Sequence, residues 1–261
     1  PHSSLLTPHS SLLTPHSLHT TKLAMAASGS NEKLLKSIKE IHKNVESLKK
    51  KLEKRKEFQW TDKVFSWPSK LGKVFGPYQQ ERADCWTYAL TTSHGYHKEI
   101  YELEDVKELN PYILRNGVNM MDQTEEGSLE FLGAVKDFMV AEEYVSDINF
   151  YTREGGNLEN IVEKKLAKAP VTISIPSLPT WMNYNGHGIY EPTDLEVMRH
   201  NIESFGKHLI VITGVGVQLV DGIVKEFWEY QNSYGLNWGV HGFGRFIKGT
   251  DLILTALEFK V

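Results

Sequence analysis

Between residues 31 and 56 the apolar positions Leu34, Ile38, Ile41, Val45, Leu48 and Leu52 recur at intervals of four and three. That spacing is a heptad seam, with Ile38, Val45 and Leu52 on one edge and Leu34, Ile41 and Leu48 on the other. It predicts an amphipathic helix over 31–56 whose other faces carry Lys and Glu. Two uses are open to such a seam: packing on the rest of the protein, or self-association through residues 34–52. The basic run Lys49–Lys51 and Lys54–Lys56 reads as a solvated face that favours the helix C-terminus. The preceding residues show no such pattern. The first 21 repeat with a period of seven, as PHSSLLT, PHSSLLT and PHSLHTT, with a proline every seventh residue. We read 1–30 as a disordered low-complexity tail, with Met25 a plausible start. An organelle transit peptide is the rival reading, because no acidic residue precedes Glu32 and Ser and Thr abound, although arginine is lacking.

Residues 57–261 have the pattern of a globular domain. Cys85 to about Tyr101 places Trp86, Ala89, Leu90 and Ser93 on one helical face. A helical turn is expected after Pro111. Ser128 is a candidate cap for a helix with Leu129, Leu132, Val135 and Met139 inward, and Asn157 for one with Leu158, Ile161, Val162 and Leu166 inward. Later, Val171–Ile175, Leu209–Leu219, Ile223–Gln231 and Phe243–Ile247 are rich in β-branched and aromatic residues and read as strands. Helices first and antiparallel strands afterwards argue for an α+β fold.

Composition narrows the function classes. The net charge is -4 and the pI ≈ 6.3, unlike the basic balance of a nucleic-acid-binding domain. No apolar run reaches membrane-spanning length, so a membrane role is not expected. The chain has one cysteine, so it can form no intramolecular disulfide and no multi-cysteine zinc site. His94 and His97, with Glu99 nearby, read as ordinary histidines on a helix surface, and no metal site is expected. Trp181 and Tyr184 read as core or pocket wall.

Three stretches carry chemistry: GPYQQERADCWTYAL (76–90), GKHLIVITGVG (206–216) and QNSYGLNWGVHGFGRF (231–246). Together they resemble the papain-like cysteine proteases. Gln79 lies six residues before Cys85 and Trp67 lies 18 before it. His208 opens a strand leading to Gly214-Val215-Gly216. Asn232-Ser233-Tyr234-Gly235, Trp238-Gly239 and Gly242-Phe243 match the family's asparagine motif. His208 is 123 residues beyond Cys85 and Asn232 is 147 beyond it, near the spacing expected of such enzymes. The resemblance implies a two-lobe fold, with a helical lobe, an antiparallel β lobe and the active-site cleft between them. It implies Cys85 as nucleophile, His208 as its proton partner, Asn232 as the group orienting His208, and Gln79 as an oxyanion donor. It further implies substrate contacts from Gly127, Ser128, Ser174, Leu209 and Trp238, with a peptide or protein as substrate and no cofactor.

The chemistry suits these residue types. A free thiol is mostly protonated at neutral pH, and a helix N-terminus and an imidazolium both favour its thiolate. Tyr234 and Trp238 would shield the His–Asn pair from water. The chain departs from the family at Arg82, which stands where a disulfide cysteine is usual, and at Glu125-Glu126-Gly127-Ser128, where the partner cysteine is missing. The usual propeptide is not expected in this stretch, since residues 31–56 are too short to be one. The absent bridges fit a reducing compartment and a cytoplasmic location; the alternative is a vacuole, lysosome or other organelle. Asp84 is expected to cap the Cys85 helix and to oppose thiolate formation by its charge. These departures keep a second function class open: a papain-fold binding or storage protein with little or no catalysis.

Overall fold

The computed structural model describes residues 33, 35–47, 63–155, 157–200 and 205–261. The expected tail at 1–30 and the end of the heptad segment at 48–56 lie outside the described residues. The chain divides into two units, Pro1–Trp60 and Thr61–Val261. In the first, helix α1 spans 35–47, and Leu35, Ile38, Ile41 and Val45 are exposed. None of the helices among the described residues is long and apolar enough to cross a membrane.

The second unit opens with β1 (Lys63–Ser66) and α2 (Trp67–Leu71), followed by α3 (Cys85–Ile100), α4 (Pro111–Gly117) and α5 (Leu132–Ala141). Then come β2 (Asp147–Thr152), α6 (Leu158–Leu166), β3 (Val171–Pro176), α7 (Pro179–Met182), β4 (Ile189–Tyr190) and α8 (Asp194–His200). The chain ends with β5 (Lys207–Val220), β6 (Ile223–Gln231), β7 (Phe243–Ile247) and β8 (Thr255–Lys260). The strands form one sheet in the order β2-β8-β3-β5-β6-β7-β4, with β1 added against β5. Every pairing is antiparallel except β4 with β7. The architecture is α+β, as expected, but strands are not confined to the second half. β2 leaves the helical region to pair with β8 at the sheet edge.

Alternation along β5 explains how the core is built. Ile210 and Ile212 face one cluster with Ile173, Ile175, Trp228, Tyr230 and Phe246. Leu209 and Val211 face the other, with Cys85, Trp86, Leu90 and Leu114 from the helices. A period of two thus gives one strand to both cores. Helix α3 sits on the second face. Gly95 of α3 makes room for the Phe75 ring of the preceding loop: a Cβ there would lie 2.6 Å from it.

Two local expectations are corrected and one holds. Ser128 does not cap a helix; α5 starts at Leu132 with Phe131 at its N-cap position, because Leu129 is taken up in a bridge with Gln123. Asn157 does cap α6, accepting from Asn160 N. His94 and His97 are not surface residues but buried in α3, and the His97 ring packs on Phe259 with centroids 5.2 Å apart. Among the described residues, no group of three or more His, Cys, Asp or Glu side chains could hold a metal.

Candidate active site

Cys85 is the first residue of α3, where backbone N–H groups have no intrahelical acceptor. Its Sγ accepts the backbone N–H of Leu209 at 3.4 Å, which ties the helix start to β5 one residue beyond His208. Burial pushes the Cys85 thiol above its ordinary value. The N–H groups of Leu209, Trp86 and Cys85 itself pull the other way without overcoming it. From sequence, the helix end is expected to favour the thiolate. The structure corrects the balance, because the thiol is only 8% exposed and desolvation dominates.

His208 lies on β5 opposite Ile175 of β3. Its Nε2 donates to Asn232 Oδ1 at 2.8 Å. The same oxygen accepts the Ser233 N–H at 2.8 Å, which fixes the amide orientation and hence the imidazole tautomer. With Nε2 carrying the proton, Nδ1 is the basic nitrogen. Burial lowers the imidazole to about 4, with the Asn232 bond acting weakly against it. Asn232 follows β6 directly, and its backbone N–H bonds Gly242 O at 2.9 Å. The Tyr234 ring stacks on His208 at 5.1 Å, and Trp238 meets Tyr234 edge-on at 5.7 Å. Trp238 therefore supports the shield at one remove, and Tyr234 supplies it.

Gln79 is exposed and forms a bridge with Tyr234. Gln80 N bonds Ser233 O at 2.8 Å, and Gly235 N bonds Tyr78 O at 2.9 Å. The segment before Cys85 is thus laced to the segment after Asn232. Gly235 makes this possible with φ 82°, and a Cβ there would press on Gln79 at 3.0 Å. The side chain of neighbouring Gln80 is committed to Arg82 O and Ser233 Oγ, whereas that of Gln79 stays open to solvent.

Gly127 and Ser128 lie in a loop docked on residues 82–86. Arg82 Nη2 donates to Glu125 O at 2.7 Å, and Ala83 N to Glu126 O at 3.1 Å. Trp86 Nε1 donates to Gly127 O at 2.9 Å, and Ser128 Oγ to Ala83 O at 3.2 Å. Four hydrogen bonds hold together the two loops that lack a disulfide. Ser174 and Leu209 are cross-strand partners, and both are buried. A cavity of ≈ 440 Å³ lies between α2 and β7, with Ser66, Gln218, Glu229 and Arg245 among its walls but none of Cys85, His208 or Asn232.

Sequence reasoning missed Arg115. Asp84 is wholly buried and makes no cap bond; its Oδ2 accepts from Arg115 Nη2 on α4. The expectation that Asp84 caps α3 is thereby corrected: its carboxylate is turned into an ion pair with α4. No signal near residue 115 announces that meeting, which exists only in the packed helices.

The papain family cysteine protease model matches residues 80–257, well over half of the chain, and the chain belongs to this family. It is 33% identical to cathepsin C of Schistosoma mansoni over 66 residues, covering 24% of this chain and 14% of that protein. It is 30% identical to human tubulointerstitial nephritis antigen-like over 115 residues, covering 41% of this chain and 24% of the relative. The matched stretches thus span no more than about a quarter of these relatives. Among solved structures, bromelain protease of Ananas comosus in complex with the E64 inhibitor superposes with TM-score 0.55 at 16% identity, covering 76% of this chain and 98% of that one. Digestive procathepsin L 3 of Tenebrio molitor gives TM-score 0.58 at 14% identity, covering 76% and 69%. At these identities the superpositions establish the two-lobe papain-like fold.

Proposed function

We propose that this chain hydrolyses peptide bonds through an acyl-enzyme on Cys85. The observation carrying the reading is the pairing of His208 Nε2 with Asn232 Oδ1 at 2.8 Å, beside a thiol bonded to the very next residue of the same strand. Fixing the Nε2 proton leaves Nδ1 to take the thiol proton. Burial disfavours a lone thiolate and a lone imidazolium, so the pair rests neutral and the proton moves as substrate arrives. Sγ attacks the carbonyl carbon and its proton passes to Nδ1. The peptide C–N bond breaks, the amine leaves with that proton, and a thioester remains. Water, deprotonated by Nδ1, then releases the acid and restores the thiol. The N–H of Cys85 and the amide of Gln79 serve the oxyanion, a role whose loss typically costs about 2.7–4 kcal/mol in transition-state stabilisation.

The test is labelling by an epoxide of the E64 type together with hydrolysis of a fluorogenic peptide. Stoichiometric labelling that disappears in Cys85→Ala and slows in His208→Ala supports the enzyme. Labelling of the native chain no faster than that of glutathione overturns it. That second result would favour a papain-fold binding protein, the reading to which the buried, upward-shifted thiol lends support.

A further inference from the structure

We propose that Arg115 is a positioning residue for Cys85, acting through Asp84: its guanidinium cancels the carboxylate next to the thiol and so sets how readily the thiolate forms. This inference rests on the cysteine-peptidase reading above. Asp84 immediately precedes Cys85 and has no exposed surface. Removing a carboxylate from water without a counter-charge is costly, and α4 supplies that counter-charge through Arg115 Nη2 on Oδ2. The contact is single-pronged. Among the described residues, Asp84 Oδ1 and Arg115 Nε are buried without a hydrogen-bond partner, so a single hydrogen bond joins the pair. Arg115 is tied to α3 a second time through Tyr88 Oη at 3.5 Å, and its own carbonyl accepts Gln123 Nε2 at 2.9 Å.

Among the described residues, few charged and titratable groups surround this arrangement; Tyr88 of α3, on Arg115, and Glu81, which acts on Tyr88, are two of them. His208 on β5 and Tyr234 after β6 lie on the Cys85 side. On the Asp84 side are Arg115 and, across Gly127, Arg82, whose guanidinium is spent on Glu125 O. Arg115 is therefore the cation that answers Asp84. Without it, a buried negative charge would sit one residue from the sulfur and oppose loss of the thiol proton. Without Asp84, an unmatched Arg115 would favour that loss. With neither, the two effects cancel.

The experiment is the pH dependence of iodoacetamide alkylation of Cys85 in the full chain, the only cysteine present. The set is the native protein, Arg115→Gln, Arg115→Lys, Asp84→Asn and the double variant Asp84→Asn/Arg115→Gln, each checked for native circular dichroism. For a charge at this range the expected displacement is about one pH unit, or about tenfold in rate at neutral pH. Arg115→Gln should move the midpoint up and Asp84→Asn should move it down. The double variant should return it to within a few tenths of a unit of native, and Arg115→Lys should stay near native. Should Arg115→Gln fail to fold, the downward move of Asp84→Asn and its reversal in the double variant carry the test. Coincident midpoints in all folded variants would overturn the proposal, as would a double variant that keeps the Asp84→Asn shift. Alkylation needs no peptide substrate. Ordered midpoints in a chain that cleaves nothing would sink the peptidase reading alone; coincident midpoints in an active peptidase would sink this inference alone.

Discussion

His97 makes acid the weak point of this fold. It lies in the middle of α3, 4% exposed, with Nδ1 bonded to Ser93 O at 2.8 Å and its ring against Tyr101 and Phe259. Burial lowers its pKa from 6.5 to about 4; the Ser93 bond opposes this, His94 adds to it and Glu258 works against it. The folded protein therefore holds His97 neutral while the unfolded chain binds a proton below pH 6.5. Stability rises with pH wherever the unfolded state binds more protons. The contribution of His97 is complete above pH 6.5 and is lost as pH falls from there to about 4. At pH 4.5 the loss from this residue is about 2–3 kcal/mol. For a unit of this size that is about 5–10 °C in Tm. The assay is urea unfolding of the native chain and of His97→Gln at pH 7 and pH 4.5. His97→Gln is less stable than native at pH 7, having lost packing, but should lose about 2–3 kcal/mol less than native on acidification. Equal losses in the two proteins would refute the reasoning. His208, also lowered to about 4 by burial, acts in the same direction.

Three further changes test the packing. Gly214→Ala would bring a Cβ to 2.3 Å from Phe65 O, so β1 should detach from β5, at a cost of about 1–3 kcal/mol seen in urea unfolding and as faster amide exchange at residues 63–66. Glu196 accepts from the backbone and hydroxyl of both Thr180 and Thr193; burial raises its pKa, but these bonds hold it below the ordinary value. Glu196→Ala should therefore cost about 1–3 kcal/mol at neutral pH, and unchanged stability would contradict that role. Trp86→Phe removes the bond to Gly127 O and should cost about 1–2 kcal/mol with raised amide exchange around residues 125–128; exchange confined elsewhere would contradict the docking described.

What could be read in the sequence was what is locally periodic or carries a long motif. The strands Ile223–Gln231 and Phe243–Ile247 coincide with β6 and β7, and Cys85 to about Tyr101 with α3, because β-branched runs and helical spacing are local signals. The segment 147–152 gives only a weak strand signal: DINF alternates over just four residues, and its pairing with β8 is set by a partner more than a hundred residues away. The helices α7 and α8 are short and are held by Glu196 rather than by propensity. At the site, the residue types of Cys85, His208, Asn232 and Gln79 were legible from their motifs. The state of the thiol was not, because desolvation depends on how completely β5 and α3 close over it. The fate of Asp84 was equally hidden, since a cap and an ion pair look alike until α4 is in place.

The aromatic stack behind His208 has an optical consequence. Trp238 is half-buried and touches Tyr234, which lies on the His208 ring, while Trp67, Trp86, Trp181 and Trp228 are enclosed in the interior. A ligand bound beside His208 that tilts Tyr234 would alter the surroundings of this indole before it reached any of those four. Trp238 is thus an internal fluorescent reporter of binding beside His208, readable in the Cys85→Ala protein as a change in emission, with no label attached and no turnover required.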